Sequence, residues 1–186
     1  MPKGFKASAV SAGIKKNGKK DLALMVSDVP AAVAGVFTNN RVQAAPVTLD
    51  KQRLAGGVCR AIIANSGNAN CATKQRGMDD AIAMTRAVSD ALSLDPQQVM
   101  AASTGVIGEP LPVEKILAAV PDLVAALDPG GFADAAEGIM TTDTKAKLVR
   151  RQGEIDRQRF QITAMAKGAG MIRPDMATML CFVCTD

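Results

Sequence analysis

The sequence predicts an α/β fold in which one mixed β-sheet is layered with helices. Three observations favour it: short apolar segments separated by Gly, Asn and Pro fill the first half, a helical repeat of apolar residues follows Asp79, and two β-rich segments flank a polar turn near residue 153. Strands and helices alternate only partly, which disfavours a doubly wound parallel sheet. With 186 residues, 48% of them hydrophobic, the chain can bury the core of one domain.

Four strands are predicted in the first half of the chain, each apolar or β-branched and bounded by turn residues. They cover residues 22–26, 31–38, 46–49 and 60–65. The first helix is predicted to begin at Asp79, a suitable N-cap, and to end near Leu92. Its apolar face is expected to contain Ile82, Thr85, Val88 and Leu92.

The second half is predicted to contain four strands and two helices. A strand over 99–103 precedes a helix that Pro112 opens and that Pro121 ends or kinks. A short helix over 132–137 follows. An antiparallel pair is then expected over 147–149 and 159–166, with Gln152-Gly153-Glu154 between them, and residues 179–184 form the final strand.

The composition excludes several kinds of chemistry. The chain has no His, Trp or Tyr, which rules out Ser-His-Asp triads and His-ligated metals. Cys181 and Cys184 form a C-x-x-C pair, but in a strand the two thiols point to opposite faces, so zinc is not expected. All four cysteines are predicted to be buried free thiols, as in a reducing compartment.

The net charge of +4 is interpreted as a solvated basic surface. Lysines cluster at 15–20 and arginines at 150–159, but an aromatic content of 3% leaves almost no residues for base stacking, so nucleic acid is not expected as a partner. No apolar run approaches the roughly 20 residues that span a bilayer. Residues 1–10 resemble neither a secretory nor an organellar leader, and the predicted location is the cytoplasm.

The most unusual segment is residues 167–180, KGAGMIRPDMATML. Two glycines permit positive φ or close backbone approach, Pro174 restricts the backbone, and Thr178 opens an apolar strand. Taken alone, the pattern also fits a glycine-rich loop before an edge strand.

This segment resembles the self-cleavage site of the ornithine acetyltransferase family, and six further blocks resemble that family in the same order. They are KDLAL at 20–24, GVFTNN at 35–40, AAPV at 44–47, NSGNAN at 65–70, STGVIG at 103–108 and MTTDT at 140–144. The resemblance covers essentially the whole chain and implies the mixed-sheet DmpA/ArgJ-like fold, completed by a second chain.

The resemblance implies that the Ala177–Thr178 bond cleaves itself and that Thr178 becomes an N-terminal nucleophile. Its freed α-amino group, with an ordinary pKa of about 7.7–8.0, then serves as the base that the absent histidines cannot supply. Thr104 and the backbone N–H of Gly105 are implied as the oxyanion hole. Without the resemblance, residues 103–105 also fit an ordinary turn after a strand.

Thr141 and Lys167 are implied as substrate contacts, with Lys167 suited to a carboxylate and Thr142 an alternative to Thr141. Residues 65–70 are interpreted as turn-forming, with no catalytic role. The implied reaction moves acetyl from N2-acetylornithine to glutamate through acetyl-Thr178, without metal or organic cofactor. Use of acetyl-CoA remains open. The alternatives are a related N-terminal-nucleophile amidohydrolase or aminopeptidase, and an inactive fragment.

The resemblance also predicts the chain organisation. Residues 1–177 correspond to the alpha chain and 178–186 to the start of a beta chain made from the same precursor, in a heterotetramer of two alpha and two beta chains. Residues 1–186 alone are therefore expected to be inactive and to expose an apolar strand edge at 179–184.

Overall fold

The computed structural model describes residues 1–168 and 178–186, and in them it shows two β-sheets and four α-helices. The strands are β1 Phe5–Val10, β2 Leu22–Ala32, β3 Val58–Asn68, β4 Val99–Val106, β5 Lys147–Ile155, β6 Gln158–Lys167 and β7 Leu180–Thr185. The helices are α1 Ala45–Arg53, α2 Lys74–Leu92, α3 Val113–Ala125 and α4 Phe132–Gly138.

The larger sheet has the order β1-β2-β3-β4 and confirms the predicted mixed α/β architecture. The first three strands pair antiparallel, whereas β3 and β4 pair parallel across the crossover that contains α2. The smaller sheet, β5-β6-β7, is antiparallel and was not predicted as a separate layer.

Two apolar cores hold these layers together. One face of the larger sheet packs on α2 and α3 through residues that include Leu24, Ile63 and Met84. The opposite face packs on α4 and on the smaller sheet, with Phe132 and Met165 among the buried residues. The smaller sheet therefore packs against this face of the larger sheet, and the end of β6 comes next to β4.

Several element predictions are wrong. Residues 46–49 lie in helix α1, and 33–38 lie outside the strands, since β2 ends at Ala32. The β-branched content of 46–49 suggested a strand, but Pro46 in the first turn of a helix is favourable, and Lys51, Gln52 and Arg53 are good helix formers. Strand β1 was not predicted, because its Ala and Ser residues have low strand propensity.

Helix α2 begins at Lys74, five residues before the predicted cap at Asp79, and its apolar face is shifted. Thr85 and Val88 are buried as predicted, but Ile82 is exposed, and Ala81 and Met84 are buried in its place. Pro121 lies inside α3 on its exposed side, and the helix continues to Ala125 because Val120 and Leu123 remain packed in the core.

The β5–β6 pair is confirmed, but its turn is Asp156-Arg157, with positive φ at both residues as in a two-residue type I′ turn. Gly153 instead lies inside β5, where the ring of Phe160 occupies the space that a side chain would need. The four cysteines are free, as predicted. However, only Cys59 and Cys71 are buried, whereas Cys181 is exposed and Cys184 half-buried.

The strand edges differ in how they are covered. Asp50 accepts the Ala101 N–H at 3.0 Å and Arg53 donates to the Val99 carbonyl, so α1 occupies the outer edge of β4. Asp128 pairs with Ala7 on the outer edge of β1. Within the described residues, no helix is long and apolar enough to cross a membrane.

Candidate functional site

Lys167, at the end of β6, connects the two sheets at the site. The residue is 3% exposed, and its Nζ donates to Thr104 Oγ1 at 3.1 Å and to the Thr178 carbonyl oxygen at 2.9 Å. Thr104 lies in β4 and Thr178 shortly before β7. The structure therefore brings together three residues that the sequence motifs placed in one site.

The bond from Lys167 determines what the Thr104 hydroxyl does. An ammonium group has donors only, so the Thr104 oxygen accepts, and its own proton is available to a different acceptor. Charge-assisted bonds are stronger than neutral ones, and this bond polarises the hydroxyl. The Thr104 hydroxyl can therefore donate its proton to a further acceptor, and its role in an oxyanion hole stays a prediction.

The charge state of Lys167 reflects its surroundings. Burial lowers the pKa of the ammonium, Asp143 opposes this by favouring the charged form, and Lys147 lowers the pKa further. The net direction is downward. A buried lysine with a lowered pKa is typical of functional sites.

Asp143, in the segment between α4 and β5, supports the residue next to Lys167. Its Oδ1 accepts the Gly168 N–H at 2.9 Å and also accepts from Lys147 Nζ. Burial raises the pKa of this carboxyl, but these bonds and the Thr141 backbone outweigh burial and place the pKa below its ordinary value. Sequence analysis did not select Asp143, although it stands in the MTTDT block.

The two candidate threonines precede Asp143 and differ in exposure. Thr141 is half-buried and Thr142 is exposed, and the backbone of Thr141 contributes to the low pKa of Asp143. They stand two residues and one residue before Asp143 in the chain. The choice of Thr141 over Thr142 as a substrate contact stays a prediction.

Gly105, next to Thr104, approaches the neighbouring strand closely. Its φ is +138°, and a Cβ would lie 2.3 Å from the carbonyl carbon of Gly67 in β3. Sequence reasoning gave this glycine a role only through its backbone N–H. The structure shows a different requirement, because the missing side chain would meet the β3 backbone.

The NSGNAN block supports the site through hydrogen bonds around it and is not part of the group formed by Lys167, Thr104 and Thr178, here called the Lys167 cluster. Asn65 accepts from Ser103 Oγ at 2.6 Å, and Asn68 donates to the carbonyls of Glu109 and Pro110, each at 3.1 Å. Asn70 donates to the Gly77 carbonyl at 2.8 Å. These bonds tie the ends of β3 and β4 to neighbouring segments. Residues 65–68 lie in β3, so the interpretation of the whole block as turn-forming is wrong, and its lack of a catalytic role stays a prediction.

A cavity of about 600 Å³ lies between residues 33–44, α1, β4 and the start of β7. Thr178 lines it, and most of the wall is apolar. Asp50 also faces it, and burial raises the pKa of that carboxyl to about 7, although the Ala101 N–H and Arg53 act in the opposite direction. This carboxyl too was missed, because its burial depends on α1 packing against β4.

The predicted cleavage residue Ala177 lies outside the described residues, as do Gly170 and Pro174. Within 1–168 and 178–186, no group of three or more His, Cys, Asp or Glu side chains is arranged to hold a metal ion.

The family model described as "ArgJ family" matches residues 6–186. The chain belongs to the ArgJ family. This confirms the family that the sequence motifs indicated.

Curated relatives named arginine biosynthesis bifunctional protein ArgJ share about half of their aligned residues with this chain. The protein from Geobacter sulfurreducens is 53% identical over 99% of this chain and 47% of its own length. The protein from Symbiobacterium thermophilum is 52% identical over 100% of this chain and 46% of its own length. The chain therefore spans about half the length of these relatives.

Two solved structures have the same fold. The ArgJ crystal structure from Bacillus halodurans superposes with a TM-score of 0.88 at 36% identity, covering 96% of this chain and 92% of the matched chain. Ornithine acetyltransferase from Mycobacterium tuberculosis, complexed with ornithine, gives 0.81 at 40% identity and covers 96% and 94%. The DmpA/ArgJ-like expectation for the fold is met by these two family structures.

Proposed function

We propose that the complete protein containing this chain is a glutamate N-acetyltransferase of arginine biosynthesis, which moves acetyl from N2-acetylornithine to glutamate. The observation that carries the proposal is the buried Lys167 ammonium bonded to both Thr104 and Thr178. Family membership supports the assignment, as does the similar ornithine-bound acetyltransferase.

Thr178 is the proposed nucleophile. Its hydroxyl first attacks the Ala177 carbonyl, the peptide nitrogen leaves as an amine, and water opens the resulting ester to release residues 1–177. The freed α-amino group then takes the Thr178 hydroxyl proton as general base. Residues 1–177 become the alpha chain, and 178–186 begin the beta chain.

Acetyl transfer follows in two steps. Thr178 Oγ attacks the acetyl carbonyl of N2-acetylornithine, and ornithine leaves with the proton that the α-amino group had taken. The amine of glutamate then attacks the acetyl-Thr178 ester and restores the free hydroxyl. In both steps the Thr104 hydroxyl and the Gly105 N–H stabilise the oxyanion. Lys167 and Thr141 hold the amino-acid substrate, and no metal or organic cofactor takes part.

A beta chain from the same precursor is the proposed partner, within a heterotetramer of two alpha and two beta chains. The edge strand β7 supports this assignment, because Val183 in it and Met179 directly before it are 61% and 65% exposed. The outer edge strand at the other side of the same sheet, β5, instead bears charged residues such as Arg150 and Arg151. The four free cysteines are consistent with a cytoplasmic location.

The test uses the full-length protein and its Thr178→Ala variant. Mass spectrometry should find two chains that meet between Ala177 and Thr178 in the wild type and one intact chain in the variant. Wild-type protein should form ornithine from N2-acetylornithine rapidly only when glutamate is present. Equal cleavage of both proteins would refute the role of Thr178, and equal ornithine release without glutamate would identify an amidohydrolase.

A further inference from the structure

Asp143 is a nearly buried carboxylate that the proposed reaction does not use. Its side chain is 3% exposed, and its Oδ1 receives hydrogen bonds from the Gly168 N–H and from Lys147 Nζ. Gly168 directly follows Lys167 in the chain. The carboxylate thus fixes the backbone at the point where β6 ends and where Lys167 turns its ammonium towards Thr104 and Thr178.

The charges around Lys167 give Asp143 a second effect. Lys147, from β5, disfavours a proton on Lys167, and Asp143 favours it. Lys15, from the loop between β1 and β2, also lies close enough for Lys167 to lower its pKa. Among these neighbours Asp143 is the acidic group, so it balances the surrounding cations.

We infer that Asp143 is a positioning residue for acetyl transfer, which anchors the Lys167-Gly168 backbone and keeps the Lys167 ammonium directed at Thr104 and Thr178. This inference rests on the proposed function. Asp143 acts through Lys167 and Gly168 and does not itself contact the reacting atoms.

An ordinary ion pair between Asp143 and Lys147 is the competing explanation. The Lys147 side chain is 54% exposed, and exposed pairs four residues apart contribute little to stability. If the pair were only structural, removing either partner would weaken the same contact and have similar effects. If Asp143 positions and charges Lys167, the two removals have opposite effects on Lys167, because the two partners carry opposite charges.

Four variants of the full-length protein separate these explanations. Asp143→Asn keeps an acceptor for the Gly168 N–H but removes the charge, and Asp143→Ala removes both. Lys147→Gln removes the opposing cation. Glu137→Gln is the control, since Glu137 is an exposed acid at the end of α4 whose cationic neighbour is Lys20, at 3.8 Å.

The direct readout is the pKa of Lys167, measured by NMR on protein with ¹³Cε-labelled lysine and assigned with Lys167→Arg. Asp143→Asn should lower this pKa, Lys147→Gln should raise it, and Glu137→Gln should leave it unchanged. Shifts in the same direction for the first two variants, or no shift in either, would overturn the inference.

The kinetic readout is kcat and KM for acetyl transfer as a function of pH. The alkaline limb of kcat/KM should move down in pH for Asp143→Asn and up for Lys147→Gln. Asp143→Ala should lose about 10- to 100-fold in kcat/KM, because a displaced Lys167 no longer holds Thr104 and the substrate in position. An active wild type with unaffected Asp143 variants overturns this inference alone, whereas a wild type without acetyl transfer overturns the proposed function and this inference with it.

Discussion

At the scale of single residues, the site depends on the ammonium group of Lys167. It donates hydrogen bonds to the Thr104 hydroxyl oxygen in β4 and to the Thr178 carbonyl oxygen just before β7. Both acceptors are held in place before any substrate binds. In the proposed mechanism this leaves the Thr104 proton for the developing oxyanion, and such preorganised donors usually contribute most to acyl transfer.

Thr104 provides the sharpest residue-scale prediction. Thr104→Val keeps the shape of the side chain but removes the hydroxyl, so kcat should fall about 10²- to 10³-fold while KM changes little. Thr104→Ser should retain most of the rate. Steady-state kinetics of the full-length protein measure both effects.

The control is Thr163→Val, at a threonine in β6 that is equally buried but lies outside the Lys167 cluster. Near-normal kcat is expected there. If Thr104→Val and Thr163→Val behave alike, the Thr104 hydroxyl has no special part in the reaction.

Sequence reasoning reached Thr104, Lys167 and Thr178 through motifs, and not through local physical chemistry. Locally, each fits a turn or a loop before a strand. Lys167 meets Thr104 across 63 residues of sequence and Thr178 across 11. Asp143 and Asp50 were missed for the same reason, because their burial and partners exist only after the sheets and helices have packed.

At the scale of elements, the approach of β4 to β3 governs the geometry around Thr104. Gly105→Ala places a Cβ about 2.3 Å from the Gly67 carbonyl carbon and strains a residue with φ of +138°. The strands must separate, so both the melting temperature and kcat should fall. Differential scanning calorimetry and kinetics on the same preparation measure these changes.

Gly108 offers a matched comparison, because its φ is +87° but, within 1–168 and 178–186 and apart from its chain neighbours, no heavy atom lies within 4 Å of the position that a Cβ would take. Gly108→Ala therefore carries only the backbone strain. A smaller loss of stability than in Gly105→Ala is expected, and equal losses would show that contact with β3 is unimportant.

The packing of α1 on β4 makes stability depend on pH through Asp50. The pKa of its carboxyl rises from an ordinary 3.8 to about 7 on folding, so between these values the folded protein holds a proton that the unfolded chain has lost. Stability from this group must decline as pH rises through that window and level off above it.

Asp50→Asn should remove this contribution while keeping an acceptor for the Ala101 N–H. The melting temperature of the variant relative to wild type should therefore increase as pH rises from 3.8 to about 7, the window between the unfolded and folded pKa values of Asp50. A pH-independent difference between the two proteins would contradict the raised pKa.

Elements with strong periodicity or flanking turn residues were predicted well. Elements whose conformation or buried face depends on packing against other elements were not. β3, β4, α4 and the β5–β6 pair follow from their patterns. Helix α1 did not, because the β-branched residues Val47 and Thr48 became helical once Leu49 could pack in the interior. The register of α2 was displaced because Ala81 and Met84, and not Ile82, fit against the sheet.

At the scale of the whole molecule, the smaller sheet has charged side chains on its edge strand β5 and none on its edge strand β7. Residues 1–186 expressed alone should self-associate through this edge, and Val183→Lys should reduce the association because edge lysines oppose strand pairing. Sedimentation velocity over a range of concentrations measures it.

Val149→Lys is the matched control, at an exposed valine on β5, the opposite edge strand of the same sheet. It should have little effect. If both lysine variants prevent association equally, net charge explains the result and the β7 edge does not.

The most direct measurement of the central claim is the mass of the chain that begins at Thr178. Full-length protein is incubated with N2-acetylornithine without glutamate, quenched in acid, digested and analysed by tandem mass spectrometry. The account predicts one acetyl group on the Thr178 side-chain oxygen, which disappears when glutamate is added before the quench. Acetyl transfer that proceeds with Thr178 unmodified, or at an undiminished rate in Thr178→Ala, would contradict it.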